Sequence, residues 1–159
     1  TFIIHARKGI LKGLSPRQNR NIPPLNYQKV YSIKDDFPEL EIIINGGIKN
    51  ISEAKNHLNF VDGVMLGRAA YDDPFMLSDI DSEIYANTKI EISRKDLLTE
   101  YLDYVHLMTK KGYDPKIMLK HLFGLKKGEK DAKRFRVKVA EIMNSSSLVE
   151  NKDELLSMV

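Results

Sequence analysis

Residues 41–47 read Glu-Ile-Ile-Ile-Asn-Gly-Gly, and a second apolar run, Asp-Gly-Val-Met-Leu-Gly-Arg, occupies residues 62–68. A third run, Thr-Phe-Ile-Ile-His, occupies residues 1–5. Short apolar runs of this kind predict strands buried on both faces, which are typical of a parallel sheet. Between them, helical spacing predicts helices over residues 27–37 and 52–58. The alternation of strands and helices predicts an α/β fold with a parallel sheet.

The number of predicted strands limits what the α/β part can be. About 22 residues separate the start of the strand predicted at residues 41–47 from the start of the one predicted at residues 62–68. This spacing suits a barrel-type β/α unit. Three strands cannot close an eight-stranded barrel, so we expect either a small open sheet or the last part of a larger barrel. Because a fully buried strand is unusual at a chain terminus, we expect a further segment to precede residue 1.

Beyond residue 88 the apolar spacing is helical throughout. Residues 93–96 resemble a capping box, and Asp114-Pro115 is typical of a helix start. Another helix is predicted from a buried stripe at helical spacing: Ala132, Phe135, Val139 and Ile142. A break is predicted at residues 145–147, before a short last helix. The sequence thus predicts an α/β part over residues 1–88 and an all-helical domain over residues 89–159.

Composition excludes several classes of protein. The chain has 159 residues, of which 42% are hydrophobic and 30% charged, which excludes a disordered chain. No apolar run approaches the ~20 residues of a membrane helix, and no signal-peptide pattern opens the chain. There is no Cys, which excludes disulfides, thiolate metal sites and thiol catalysis within this chain. We expect a soluble, cytoplasmic protein without a membrane partner.

Charge is strongly segregated along the chain. Residues 1–34 carry seven cations and no acid, residues 35–92 have a net charge of −8, and residues 93–159 have a net charge of +4. Within the last part, residues 116–138 alone have a net charge of +7. Two basic segments around an acidic middle suggest a polyanion bound by both ends of the chain. The alternative is that the lysines only keep exposed faces soluble.

The carboxyl ends of parallel strands are where ligands bind in α/β proteins. Here those ends read His5-Ala6-Arg7-Lys8, Asn45-Gly46-Gly47 and Gly67-Arg68. Glycine allows the backbone to approach a phosphate closely, and arginine adds a bidentate charge. We therefore expect a phosphate site here, although a tight turn, a surface ion pair and a structural histidine remain open as alternatives. The histidines have no metal-ligand spacing, and standard nucleotide-hydrolase and serine-hydrolase motifs are absent.

Several short motifs occur in a fixed order along the chain. The first group is HARK at 5–8, KGLSP at 12–16, NR at 19–20, IPPL at 22–25 and Tyr27. The second group is INGGI at 44–48, DGVMLGRAAY at 62–71 and HLFGL at 121–125. In this order they resemble the tRNA-dihydrouridine synthase family, and more narrowly its bacterial A-type subfamily. The resemblance extends to about residue 143.

The resemblance implies the C-terminal part of an FMN-binding TIM (β/α)8 barrel over residues 1–88, followed by a helical tRNA-binding domain. By likeness, His5 contacts FMN, residues 45–47 line its phosphate and ribityl region, and Gly67 and Arg68 hold its phosphate. The tRNA contacts implied by likeness are Arg17, Arg20, Lys133 and Arg136. The subfamily usually has Arg in place of Lys133 and Trp in place of Phe135, and a lysine loses bidentate geometry at a phosphate.

The reaction implied by the resemblance has two stages. NADPH reduces FMN, and the reduced flavin passes hydride to C6 of a uracil in the tRNA D-loop while a cysteine thiol protonates C5. The first half of the barrel and that cysteine are absent from this chain. We therefore expect a fragment that has no catalytic residue of its own, binds no metal and cannot reduce uridine alone. When full length, the protein is expected to be monomeric.

Two other functions compete with this interpretation. A non-catalytic tRNA-binding module would use the α/β part only as a scaffold, and would not need ligand-binding residues at the strand ends. A flavin barrel acting on a small molecule, such as a dihydroorotate or dihydropyrimidine oxidase, would not need the basic helical region. Salt-dependent tRNA binding separates the last alternative from the other two.

Overall fold

A computed structural model describes residues 1–88, 90–145 and 148–159, without the side chains of residues 148–151. The chain forms two compact units, residues 1–69 and residues 70–159. Each unit has a hydrophobic core of its own. The functional division at residue 88, into a flavin-binding part and a tRNA-binding part, stays a prediction.

The first unit contains a three-stranded parallel sheet. Its strands are β1 (Phe2–His5), β2 (Ile42–Asn45) and β3 (Gly63–Met65), and β2 lies between the other two. The register pairs His5 with Asn45, and Asn45 with Met65, so all three strands end at the same edge. The predicted parallel α/β arrangement is therefore confirmed.

Asparagine side chains begin the two main helices of this unit. In α2 (Tyr27–Asp36), Asn26 accepts a hydrogen bond from the backbone N–H of Lys29, and in α3 (Ile51–Leu58), Asn50 accepts one from Glu53. These N-caps satisfy donors that a helix start leaves unpaired. Both helices agree with the predicted ranges. A short helix, α4 (Arg68–Asp72), follows β3.

Several short helices were not predicted, and one of them lies between β1 and α2. In α1 (Pro16–Asn19), Ser15 and Gln18 form a capping box, inside a segment for which no helix or strand was predicted. Four residues are too few to show helical periodicity, so only the Ser-Pro start and the Gln at the third position could have indicated it.

The burial of the strands differs from the prediction for β1. On β2, Ile42 and Ile44 are fully buried, whereas Phe2 and Ile3 of β1 are 53% and 54% exposed. The prediction that β1 is buried on both faces is therefore wrong for these two residues. The physical reason is position, because β2 has a strand on each side, whereas β1 pairs with β2 alone in the described sheet.

The second unit is helical. Its main helices are α6 (Arg94–Lys110), α7 (Pro115–Leu119), α8 (Ala132–Ser145) and α9 (Leu148–Ser157). Shorter segments are a 3-10 helix over Pro74–Asp79, α5 (Ile80–Glu83) and a 3-10 turn over Lys120–Gly124. The capping box of Ser93 and Asp96 and the cap of Asp114 before Pro115 are as predicted. The predicted break at residues 145–147 is wrong for Ser145, which is the last residue of α8, and residues 146 and 147 lie outside the described residues.

The core of the helical unit is made of side chains from four helices and the 3-10 turn. Its buried residues are Leu98, Leu102, Val105, Met118, Leu119, Leu122, Leu125, Phe135, Val139, Ile142 and Leu155. Three of the four residues predicted as the stripe of α8 are among them, and Ala132 is half-buried. The amphipathic pattern of α8 therefore predicted its buried face correctly.

A cluster of rings connects α2 to α3 in the first unit. The hydroxyl of Tyr31 lies 2.6 Å from Nδ1 of His57, and the ring of Tyr27 meets the His57 ring edge-on at 4.4 Å between centroids. His57 is only 7% exposed. Burial lowers the pKa of His57 below its usual value of 6.5, and the charge of Glu53 acts in the opposite direction.

We predict that Phe135→Ala lowers the free energy of unfolding by about 3–5 kcal/mol, because it leaves a cavity in a fully buried site. Val137→Ala, on the same helix at a side chain that is 49% exposed, is the control and should change stability by less than about 0.5 kcal/mol. Denaturant unfolding of both variants measures the difference. Equal losses would contradict the described orientation of α8.

We also predict that the protein loses stability as the pH falls below about 6.5. The folded-state pKa of both His57 and His5 is lowered, so the unfolded chain binds protons that the folded chain does not. Stability is therefore fully present above the unfolded pKa and declines as the pH falls toward the folded one. Unfolding measured from pH 8 to pH 5 should show this slope, and His5→Asn with His57→Asn should flatten it. A slope that survives both substitutions would contradict the assignment.

Candidate functional site

The strand register brings the predicted strand-end residues to one edge of the sheet. His5 and Asn45 are direct neighbours across β1 and β2, and Asn45 is a neighbour of Met65 across β2 and β3. The side-chain amide of Asn45 also donates a 2.9 Å hydrogen bond to the carbonyl of Met65. The ends of β2 and β3 are thereby tied together, two residues before Gly67.

The turn after β2 requires glycine at both positions. Gly46 has a φ of +117° and Gly47 a φ of +74°, which side chains rarely allow. A Cβ atom at Gly46 would lie 3.1 Å from Cε1 of His5, so the imidazole ring lies directly against this turn. The hydroxyl of Tyr27 donates a 2.8 Å hydrogen bond to the carbonyl of Gly46. The first residue of α2 therefore holds the backbone of this turn in place.

Arg68 follows β3 and is held by the loop between β1 and α2. Its guanidinium donates a 2.6 Å hydrogen bond to the side-chain oxygen of Asn21. This partner is a neutral amide, and no carboxylate partner of Arg68 occurs among the described residues. The positive charge is therefore oriented without being neutralised, as a site for an anion requires.

Arg7 is a second oriented guanidinium close to this edge. It donates a hydrogen bond to the carbonyl of Pro23, and its backbone forms a bridge with Leu25. Its Nε is buried and has no hydrogen-bond partner among the described residues. An unsatisfied buried donor on a cation is costly, so this nitrogen is available to an acceptor that the chain itself does not supply.

The pKa of His5 is affected by its burial and by the charges of three arginines. Burial is the largest cause that lowers the pKa of His5 below 6.5, and the charges of Arg7, Arg68 and Arg20 lower it further, in that order. His5 is therefore neutral at pH 7, with one ring nitrogen as donor and the other as acceptor. Three arginine charges acting on one imidazole create a positive potential at the carboxyl edge of the sheet.

The predicted tRNA-contact residues lie in two pairs, each within one unit. Arg17 is on α1 and Arg20 directly follows it, and both are exposed. Lys133 and Arg136 are exposed on α8, whereas Phe135 between them is fully buried. The aromatic side chain at residue 135 therefore belongs to the core of the helical unit.

Sequence reasoning placed Arg7 at a strand end without giving it a role, and it missed Asn21 and Tyr27 as contributors to the site. Arg7 directly follows a predicted strand, which was a usable signal because strand ends were already the expected site. The contacts of Asn21 and Tyr27 join residues that are 47 and 19 positions apart, and no local pattern predicts them.

No group of three or more His, Asp or Glu side chains in the part of the chain that the structure describes could hold a metal ion. No helix in that part is both long enough and apolar enough to cross a membrane.

Comparison with known proteins adds an independent result. The family model described as dihydrouridine synthase matches residues 1–158. The chain is 44% identical over 140 residues to a tRNA-dihydrouridine(20/20a) synthase of Haemophilus ducreyi, which covers 88% of this chain and 43% of that protein. Similar proteins of the same name occur in Synechocystis (44% identity, 85% of this chain, 40% of that protein) and Pseudomonas putida (43%, 86% and 40%).

The chain thus spans about two-fifths of the length of the curated relatives that it matches. The family match includes both units and every strand-end residue discussed above. The resemblance found from the sequence motifs is therefore confirmed, and this chain belongs to the dihydrouridine synthase family.

Proposed function

We propose that this chain is the C-terminal part of an FMN-dependent tRNA-dihydrouridine synthase. In the whole protein it supplies part of the flavin site and part of the tRNA-binding surface, and NADPH is the reductant. The product is 5,6-dihydrouridine in the D-loop, and the parallel sheet is the last part of a TIM barrel. The observation that carries this proposal is that Arg7 and Arg68 are held by neutral partners at the edge of the sheet where His5 meets the glycine turn, and that the buried Nε of Arg7 has no partner among the described residues.

The residues at the carboxyl edge fit the phosphate of FMN. A phosphate monoester carries nearly two negative charges and three acceptor oxygens, which matches several oriented guanidinium donors. Gly67 has open space around the position of a Cβ atom, so an oxygen can approach the backbone there. The buried Nε of Arg7 is a donor that needs an acceptor.

When bound, FMN supplies hydride transfer to the uracil ring. The residues of this chain bind and orient it. Arg68 holds the phosphate from the end of β3, and the turn of Gly46 and Gly47 keeps side chains away from the ribityl region. Neutral His5 donates or accepts one hydrogen bond at the flavin without adding a fourth positive charge. Because the chain has no Cys, the thiol that protonates C5 must come from another part of the whole protein.

Exposed cations on both units supply the tRNA contacts. Arg17 and Arg20 belong to a segment of 34 residues that has no acid, and Lys133 and Arg136 belong to a stretch with a net charge of +7. A base must leave the tRNA stack to reach a flavin, and phosphate contacts near the pocket offset part of that cost. Arg17 and Arg20 are placed by α1, whereas Lys133 and Arg136 are placed by α8.

We predict that Arg68→Ala weakens FMN binding about 10- to 100-fold, the loss expected when a charged hydrogen-bond donor to a phosphate is removed. Flavin absorbance per mole of full-length protein measures the retention of FMN. Arg68→Lys should give an intermediate loss, because it keeps the charge but not the bidentate geometry. Arg134→Ala, at another exposed arginine, is the control and should retain flavin fully. Full retention by Arg68→Ala would overturn the phosphate assignment.

We further predict that tRNA binding weakens steeply with salt. The slope of log Kd against log salt should fall by about one in each of four single variants: Arg17→Ala, Arg20→Ala, Lys133→Ala and Arg136→Ala. Each variant removes one phosphate contact from full-length protein, so the loss should not depend on base sequence. Lys110→Ala, an exposed cation at the end of α6, should leave the slope unchanged. If the wild-type protein bound tRNA without salt dependence, or did not bind it, the small-molecule oxidoreductase would be favoured instead.

A further inference from the structure

An exposed apolar side chain projects from the basic loop between β1 and α1, next to the partly exposed Ile10. Leu11 is 97% exposed, which is the largest value among the exposed hydrophobic residues described. Lys12 follows it directly and Lys8 precedes it by three residues, and both are exposed. Residues 1–34 contain no acid that could pair with these lysines.

The loop is held open around the side chain of Asn19. The backbone N–H of Ile10 donates a 2.7 Å hydrogen bond to Oδ1 of Asn19, and Nδ2 of Asn19 donates a 2.9 Å bond to the carbonyl of Ile10. Nδ2 also lies 3.4 Å from the carbonyl of Leu14. One amide therefore fixes both ends of the segment that runs through residues 11–13.

Asn19 is itself fixed by α1. Its backbone N–H donates to the carbonyl of Ser15 at 2.9 Å, and the capping box of Ser15 and Gln18 sets the start of that helix. Gly13, with a φ of +87°, turns the chain back toward α1. The outward position of Leu11 is thus imposed by a polar clip and a glycine turn.

A single exposed leucine is ordinary, but this one combines three features that point to one kind of partner. It is held out by specific hydrogen bonds, it lies between two exposed lysines, and its segment has no acid. A partner that matches it must offer an apolar face beside negative charge. Nucleic acid with an unstacked base does so, because apolar side chains pack on bases while lysines contact the neighbouring phosphates.

We propose that Leu11 packs against an unstacked base of the tRNA, and that Asn19 is the positioning residue that holds Leu11 in place. This inference rests on the proposed tRNA function and adds to it a contact that is apolar. Lys8 and Lys12 contact the phosphates on either side of that base.

The test measures binding of an unmodified tRNA transcript to the full-length protein at several salt concentrations. Leu11→Ala should raise Kd about 5- to 20-fold, because apolar contact area is lost, and should leave the salt slope unchanged. Lys12→Ala should instead lower the slope by about one. Leu11→Met should bind nearly as well as wild type. Leu107→Ala, at an exposed leucine of α6, is the control and should not change Kd.

The role of Asn19 is tested by a double-mutant cycle. Asn19→Ala should weaken tRNA binding to a similar extent as Leu11→Ala, and the double variant should be little weaker than either alone, because Asn19 acts through Leu11. Additive losses would overturn the positioning role.

The outcomes separate the two proposals. If the wild-type protein binds tRNA with a steep salt dependence but Leu11→Ala binds equally well, the base contact is overturned and the proposed function stands. If the wild type does not bind tRNA at all, the proposed function fails as well. A lowered unfolding temperature of Leu11→Ala would show that Leu11 packs within the full-length protein, or against a protein partner if only an assembled complex is affected. Either result would overturn the base contact.

Discussion

Parallel pairing of β2 with β1 on one side and β3 on the other is the constraint on which the candidate site depends. The register places His5 beside Asn45 and Asn45 beside Met65, so the segments that follow these strands leave the sheet at the same edge. A slip of one residue would exchange the two faces of a strand and expose Ile42 and Ile44. Because both are fully buried, the cost of exposing them protects the register and, through it, the contact of His5 with Gly46.

The cations at the two ends of the sheet have different partners, a carboxylate at one end and neutral oxygen atoms at the other. At the amino end, Lys34 forms a 2.8 Å ion pair with Asp62, and the N–H of Ile42 donates to the same carboxylate, which lowers the pKa of Asp62 below 3.8. At the carboxyl end, Arg7 and Arg68 are held by a carbonyl and an amide, which are neutral. In the first arrangement, the charge of Lys34 is compensated by the carboxylate of Asp62. The second fixes the direction of two like charges without compensating them, and a bound anion is what would offset their repulsion.

The sequence predicted the features that depend on local pattern and missed those that depend on position in the fold. β2, α2, α3 and the capped start of α6 follow from apolar runs, helical spacing and capping residues, and they agree with the structure. The exposure of Phe2 and Ile3 could not be predicted, because the apolar composition of a strand does not show how many strands lie beside it in the described sheet. The short helices before residue 84 have too few turns to show periodicity.

The same limit applies to the site. Strand-end glycines and arginines were predictable because parallel topology sends them to a common edge. Two other contacts could not be predicted: the hydrogen bond from Tyr27 to the glycine turn and the one between Arg68 and Asn21. Each joins positions that are far apart in the sequence by a single hydrogen bond. On α8, in contrast, one periodic pattern sets both faces. Burial of Phe135 and Val139 in the helical core leaves Lys133 and Arg136 directed at solvent. The aromatic residue at 135 thus sets the orientation of α8, and the tRNA contacts proposed for Lys133 and Arg136 depend on it only through that orientation.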